Sequence, residues 1–158
     1  MKHIQIIAGS YYKLLTTIDW DDEVLLLGLK EGLSKFVSNA YIEINKKTHK
    51  QTKYLQGDYY TEEALDKIKN NDFSGLIYEH MIPKSTYIQK PCVEMARNGK
   101  LTVQIVTELL SKYWKIAVIT KEQDKLLSRR KMPDGWDGKD IFARYRKANI
   151  YLIQADKK

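Results

Sequence analysis

The nine residues Gly75-Leu76-Ile77-Tyr78-Glu79-His80-Met81-Ile82-Pro83 place the tightest limits on how this chain can fold. Apolar, β-branched and aromatic side chains favour a half-buried strand, and a proline, which cannot donate to a ladder, stops it. The run therefore predicts a short strand with Glu79 and His80 at its end. Of the three histidines only His80 follows such a run; His3 lies near the N-terminus and His49 among lysines. An adjacent carboxylate and imidazole at a strand end suit a hydrolytic metal site.

The segments around this strand read mostly as helix. Ile4, Ile7, Tyr11, Leu14, Leu15 and Ile18 recur at steps of three or four, the spacing of one apolar helix face. Asp19 is expected to cap a second helix, with Asp21, Asp22 and Glu23 in its first turn against the positive end of the dipole. Its stripe runs from Leu25 through Leu29, Leu33, Phe36 and Val37 to Ile44, implying a helix of roughly 25 residues. A hairpin after Asn39 is the alternative, because Tyr41 to Asn45 also alternates; the helix is preferred.

Thr61 begins a short helix with an acidic first turn, through Lys69. From Ser85 to Met95 the pattern is helical but interrupted around Pro91, and Asn98-Gly99 closes it. Thr102 caps a clearer helix ending near Trp114. Lys115 to Ile119 reads as a buried strand running into Thr120-Lys121-Glu122-Gln123, a capping box whose helix is expected to continue through Arg130. Turn-forming residues 132–138 precede a last helix from about Asp140 to Lys147. The expectation is one α+β domain, with a helical part over about 1–70 packed with a small α/β unit over about 71–158.

Composition narrows the function classes. The 158 residues fit one domain of ordinary size, and 43% of them are hydrophobic. No run approaches the roughly 18 apolar residues of a membrane span, and the N-terminus lacks a secretory pattern, so a soluble, cytoplasmic protein with no membrane partner is expected. Cys92, the single cysteine, excludes an internal disulfide and a thiolate zinc cluster, and is read as a buried structural thiol. A net charge of +7 and a pI near 9.3 favour polyanionic partners. Lys46, Lys47 and Lys50 form a candidate phosphate-contacting patch, with Tyr54, Tyr59 and Tyr60 nearby as candidate base-stacking residues.

Folded back on each other, the two strands of the second half could bring the Glu79 and Asp124 carboxylates around one hard divalent cation, Mg²⁺ or Mn²⁺. His80 would then act as general base on a water, and phosphodiester hydrolysis is the implied reaction. Tyr78-Glu79-His80-Met81-Ile82-Pro83 resembles the acidic-His-x-x-Pro opening of the HNH, or ββα-metal, endonucleases. Val118 to Leu127 is similar to that family's strand-to-helix segment. The resemblance implies Glu79 as a metal ligand, His80 as the base, and Asp124 as the second ligand, with Gln123 a weaker candidate. It also implies DNA as the substrate, RNA being the other choice. Arg129, Arg130, Lys131, Arg144, Arg146 and Lys147 would contact the nucleic-acid backbone.

Departures accompany it. The family's helical ligand is usually His or Asn where this chain has Asp124, and no middle asparagine that would orient the histidine can be assigned, although Asn98 is available. The insert between the two pieces is long, and the zinc-binding cysteine pairs that brace some members are missing. A non-catalytic factor that binds nucleic acid or a protein partner, of phage, plasmid or mobile-element type, would carry the same residues. On that assignment Glu79 pairs with Lys84 or with a basic residue of the last helices, and His80 is structural.

Overall fold

The computed structural model describes residues 2–49 and 52–155, with the backbone alone at 48 and 49. In chain order the elements are α1 (Lys2–Thr17), α2 (Glu23–His49), a 3₁₀ turn (Lys53–Leu55), β1 (Tyr59–Tyr60), α3 (Glu62–Lys69), β2 (Leu76–His80) and a π-helical turn (Ser85–Gln89). There follow α4 (Lys90–Arg97), α5 (Val103–Tyr113), β3 (Ile116–Thr120), α6 (Lys121–Asp124), α7 (Ala143–Lys147) and β4 (Ile153–Gln154). The fold is α+β, as expected. The chain divides into two compact units, residues 1–50 with 84–113 and residues 51–83 with 114–158.

The first unit is helical. Ile7, Ala8, Tyr11 and Leu15 of α1 are buried together with Val37 of α2, Cys92 of α4, and Val106 and Leu110 of α5. Tyr11 stacks on Phe36 at 5.7 Å between ring centroids. Burial pushes the Cys92 thiol up to about 11, so it stays protonated and packs as a small apolar group. The cap of α2 is Asp22, whose carboxylate accepts from Leu25 N–H at 2.9 Å; Asp19 instead accepts from Asp21 in the preceding turn. The helix continues past Asn39 with no hairpin, because Phe36, Val37, Ala40 and Tyr41 keep one stripe inward. Pro91 does not interrupt α4. The π turn lies just before it, and proline, which has no N–H to place, stands in the first turn of the α-helical part.

The second unit is built on a mixed sheet in the order β2-β3-β1-β4. β2 and β3 are antiparallel, with Leu76 opposite Thr120 and His80 opposite Ile116; β1 runs parallel to β3 and antiparallel to β4. Gly75, at φ +66°, turns the chain into β2, and its carbonyl accepts from the Lys121 N–H at 2.8 Å. One face of the sheet packs Ala117 and Ile119 with Met81, Leu127, Tyr145 and Ile150. The other packs Leu76 and Val118 with Tyr60 and Ala64. Tyr59, set edge-on to Phe142 at 5.1 Å, and Tyr60, buried, are packing residues; Tyr54 stacks on Phe73 at 6.1 Å. Among the described residues no helix is long and apolar enough to cross a membrane.

Candidate functional site

The alternation of side chains along β2 decides where its chemistry faces. Ile77 and Glu79 face the Tyr145 side of the sheet, and Leu76, Tyr78 and His80 face the other. The His80 ring stands edge-on to Trp114 at 4.5 Å and to Tyr78 at 6.3 Å. Met81 N–H donates to Lys115 at 2.9 Å, so the ladder continues past His80 and holds its orientation. The carboxylate and the imidazole, neighbours in sequence, therefore do not share a site.

Glu79 is gathered by α7. Arg144 Nη2 donates to Glu79 Oε1 at 2.8 Å, and Nη1 donates to the carbonyls of His80 at 3.0 Å and Met81 at 3.3 Å. The arginine side chain is 2% exposed and the glutamate 19%. A planar guanidinium suits this arrangement, because its fixed donors reach a carboxylate and two carbonyls at once. Burial pushes the Glu79 carboxyl above its ordinary range and the Asp124 charge adds to this, while Arg144 pulls the other way. Tyr145, next along α7, is buried with its hydroxyl unbonded among the described residues; burial raises it far above the usual phenol range, with Glu79 and Asp124 adding.

Asp124 ends α6, its side chain 15% exposed, with Arg129 at a loose 3.8 Å. The capping box ahead of it is present: Thr120 N–H donates to Gln123 Oε1 at 2.9 Å and Gln123 N–H to Thr120 Oγ1 at 3.3 Å. Gln123 Oε1 also accepts from Thr61 at 3.0 Å, and its amide donates to Glu63 at 2.9 Å, so Gln123 joins α3 to β3 instead of facing Glu79. The helix stops after one turn. Leu127 N–H bonds back to the Asp124 carbonyl, and Leu127 enters the Tyr145 core while Leu126 stays exposed.

The structure thus brings Glu79 and Asp124 into electrostatic reach, and the cation against Glu79 is a guanidinium. Glu79 is already engaged by Arg144, the imidazole lies on the opposite face, and among the described residues no three His, Cys, Asp or Glu side chains converge on one point.

Of the residues expected to contact a nucleic-acid backbone, Arg144 is buried and unsuited to that task. Arg146 pairs with Asp140, and Lys46 with Glu43 at 2.8 Å. Lys47, Arg129, Arg130 and Lys131 are exposed, and Lys50 lies outside the described residues. Trp136 closes its own loop by donating to the Asp140 carbonyl at 2.8 Å. Lys147, also expected at a nucleic-acid backbone, is exposed and lines a cavity with Ser128, Lys131 and Arg144, a grouping that sequence reasoning did not make. The signal was the spacing of Arg144 and Lys147, three apart on one helix and so on one face.

Comparison of the chain with protein-family models, with curated proteins and with solved structures finds no match.

Proposed function

We propose that this chain is a non-catalytic nucleic-acid-binding factor whose second unit is a ββα-like scaffold with an arginine in place of a metal ion. The observation that carries the reading is the Arg144 contact. A guanidinium fixed on Glu79 and on two carbonyls at the end of β2 neutralises the carboxylate that would otherwise ligate a cation, and holds together the strand, α7 and the chain after β2.

The charge pattern supplies the binding half of the proposal. Residues 114–158 contain 12 Lys and Arg against 6 Asp and Glu, a net +6 of the chain's +7. Lys121, Lys125, Arg129, Arg130, Lys131, Lys139 and Lys147 of this segment are exposed. Cations concentrated in this way attract phosphates irrespective of sequence and release counterions on contact. Antiparallel β2 and β3, separated in the chain by the π turn, α4 and α5, with α6 directly after β3, make a ββα-like arrangement with a long insert, which supports kinship with the nuclease scaffold while Arg144 speaks for binding without cleavage.

The test pairs two measurements on the full chain. Affinity for a short DNA duplex and for single-stranded RNA, measured against salt, should fall steeply on a log-log plot, each neutralised phosphate contributing a slope of about −0.7 to −0.9. A flat plot would remove the binding proposal. Plasmid incubated with the protein and Mg²⁺ or Mn²⁺ should remain supercoiled. Nicking that disappears in His80→Ala would overturn the non-catalytic reading and restore a hydrolase.

A further inference from the structure

A cavity of about 360 Å³ opens in the second unit between the segment after α6 and the end of α7. Its polar lining is Ser128, Lys131, Arg144 and Lys147, with Asp134 as the one acid, and Leu126, Met132, Pro133 and Ala148 supply apolar wall. The volume lies at the lower end of the range for small-molecule sites, far below what a duplex groove would need.

Three features mark the chemistry this cavity takes. The side chains of Lys131 and Lys147 are exposed and have no hydrogen-bonded or ion-paired partner among the described residues, so their ammonium groups are available to a ligand. Ser128 Oγ accepts from the Lys131 N–H at 3.2 Å, which leaves its own proton to donate. Arg144 lines the wall, and although its terminal nitrogens are engaged, its buried Nε–H meets no acceptor among the described residues. An unsatisfied buried donor of this kind costs free energy, and nearby negative charge relieves it. Cationic and hydroxyl donors combined in one lining with thioether, proline and aliphatic carbon match a ligand with an anionic group and a less polar body.

We infer that this cavity receives a nucleoside monophosphate, the phosphate among Ser128, Lys131 and Lys147, and the sugar or base against Leu126, Met132 and Pro133. Two sources share that chemistry, the phosphorylated end of a nucleic-acid strand and a free mononucleotide. The strand-end form rests on the nucleic-acid reading above; the mononucleotide form stands without it.

Calorimetric titration of the full chain separates these outcomes. The ligands are dAMP, deoxyadenosine, and one short single-stranded oligonucleotide prepared with and without a 5′-phosphate. We expect dAMP to bind and deoxyadenosine not to. The exposed-site variant K131M/K147M should weaken dAMP by about tenfold or more, the scale of losing a charge-assisted hydrogen bond. K100M, an exposed lysine outside the cavity and outside the basic segment, should leave dAMP binding unchanged. Competition between dAMP and the 5′-phosphorylated oligonucleotide, absent with the unphosphorylated one, would identify a strand end as the source; dAMP binding without such competition would identify a free nucleotide. If the oligonucleotide binds but dAMP does not, or if dAMP binds K131M/K147M as well as wild type, the cavity inference is overturned while the nucleic-acid reading survives. If dAMP binds through these lysines and no oligonucleotide binds, the nucleic-acid reading fails and the cavity assignment stands.

Discussion

The two faces of β2 solve the same problem in opposite ways. On one, Glu79 brings a charge under cover and is met by Arg144, Asp124 and Tyr145, so polar groups must be matched one to one. On the other, His80 is packed edge-on against the rings of Tyr78 and Trp114, where contact area and ring geometry carry the interaction. Two consecutive residues that read as one catalytic pair thus belong to an ion-pair network and to an aromatic cluster. Breaking a buried pair strands a charge, whereas thinning an aromatic cluster removes contacts in proportion to their area, so the faces should differ sharply in sensitivity.

The largest effect is expected for Arg144→Met. It leaves Glu79 buried without its cation, a change of about 3–5 kcal/mol in unfolding free energy by the usual cost of breaking such pairs. The pH dependence has a definite sign. Glu79 is already raised in the folded state by burial and Asp124, and losing the guanidinium raises it further. A carboxyl raised on folding destabilises the fold as pH climbs through its folded value, so the penalty of Arg144→Met should be greatest near neutrality and shrink as Glu79 takes up its proton in mild acid. Denaturant titrations across that range measure this. Adding Glu79→Gln should recover part of the loss, and a penalty independent of both pH and residue 79 would show that Arg144 acts through packing alone.

His80→Ala should cost less, about 1–3 kcal/mol for a lost ring in a partly buried cluster, and His80→Phe should recover most of it by keeping the edge-on contact with Trp114. Failure of phenylalanine to rescue would assign His80 a polar role. The smallest effect is expected on the Glu79 side, from Tyr145→Phe. The hydroxyl it removes is buried and unbonded, so stability should be unchanged or rise by up to about 1 kcal/mol. A clear loss would reveal a partner for that oxygen. Thermal unfolding of the three variants side by side orders them.

Several parts of this arrangement were legible before any coordinates. The Thr120–Gln123 capping box, the Thr61 cap, the strand from Leu76, and the Asn98-Gly99 stop, with Gly99 at φ +64°, rest on contacts within a few residues, and each forms. A basic residue of the last helices was one candidate partner for Glu79, and Arg144 is that residue. The cap at Asp22 in place of Asp19 and the early end of α6 were not legible, because each depends on where a side chain outside the local pattern is buried or bonded. Trp20 donates to the Leu15 carbonyl at 3.1 Å across the first of these turns, and Leu127 enters the sheet core after the second.

The sequence by itself determined the longer helices, the strands β2 and β3, the α+β class and the alternation that sets Glu79 and His80 on opposite sides of a strand, since periodicity, caps and proline act over a few residues. The two-residue strands β1 and β4 were not legible, because pairing with β3 and with each other defines them. Only the tertiary structure decided which cation meets Glu79, that Gln123 ties α3 to β3, and that Ser128, Lys131, Arg144 and Lys147 surround one cavity. Those outcomes join residues up to 65 positions apart, as Arg144 and Glu79 are, and such partners are chosen by how the sheet and α7 pack together, which no local pattern encodes.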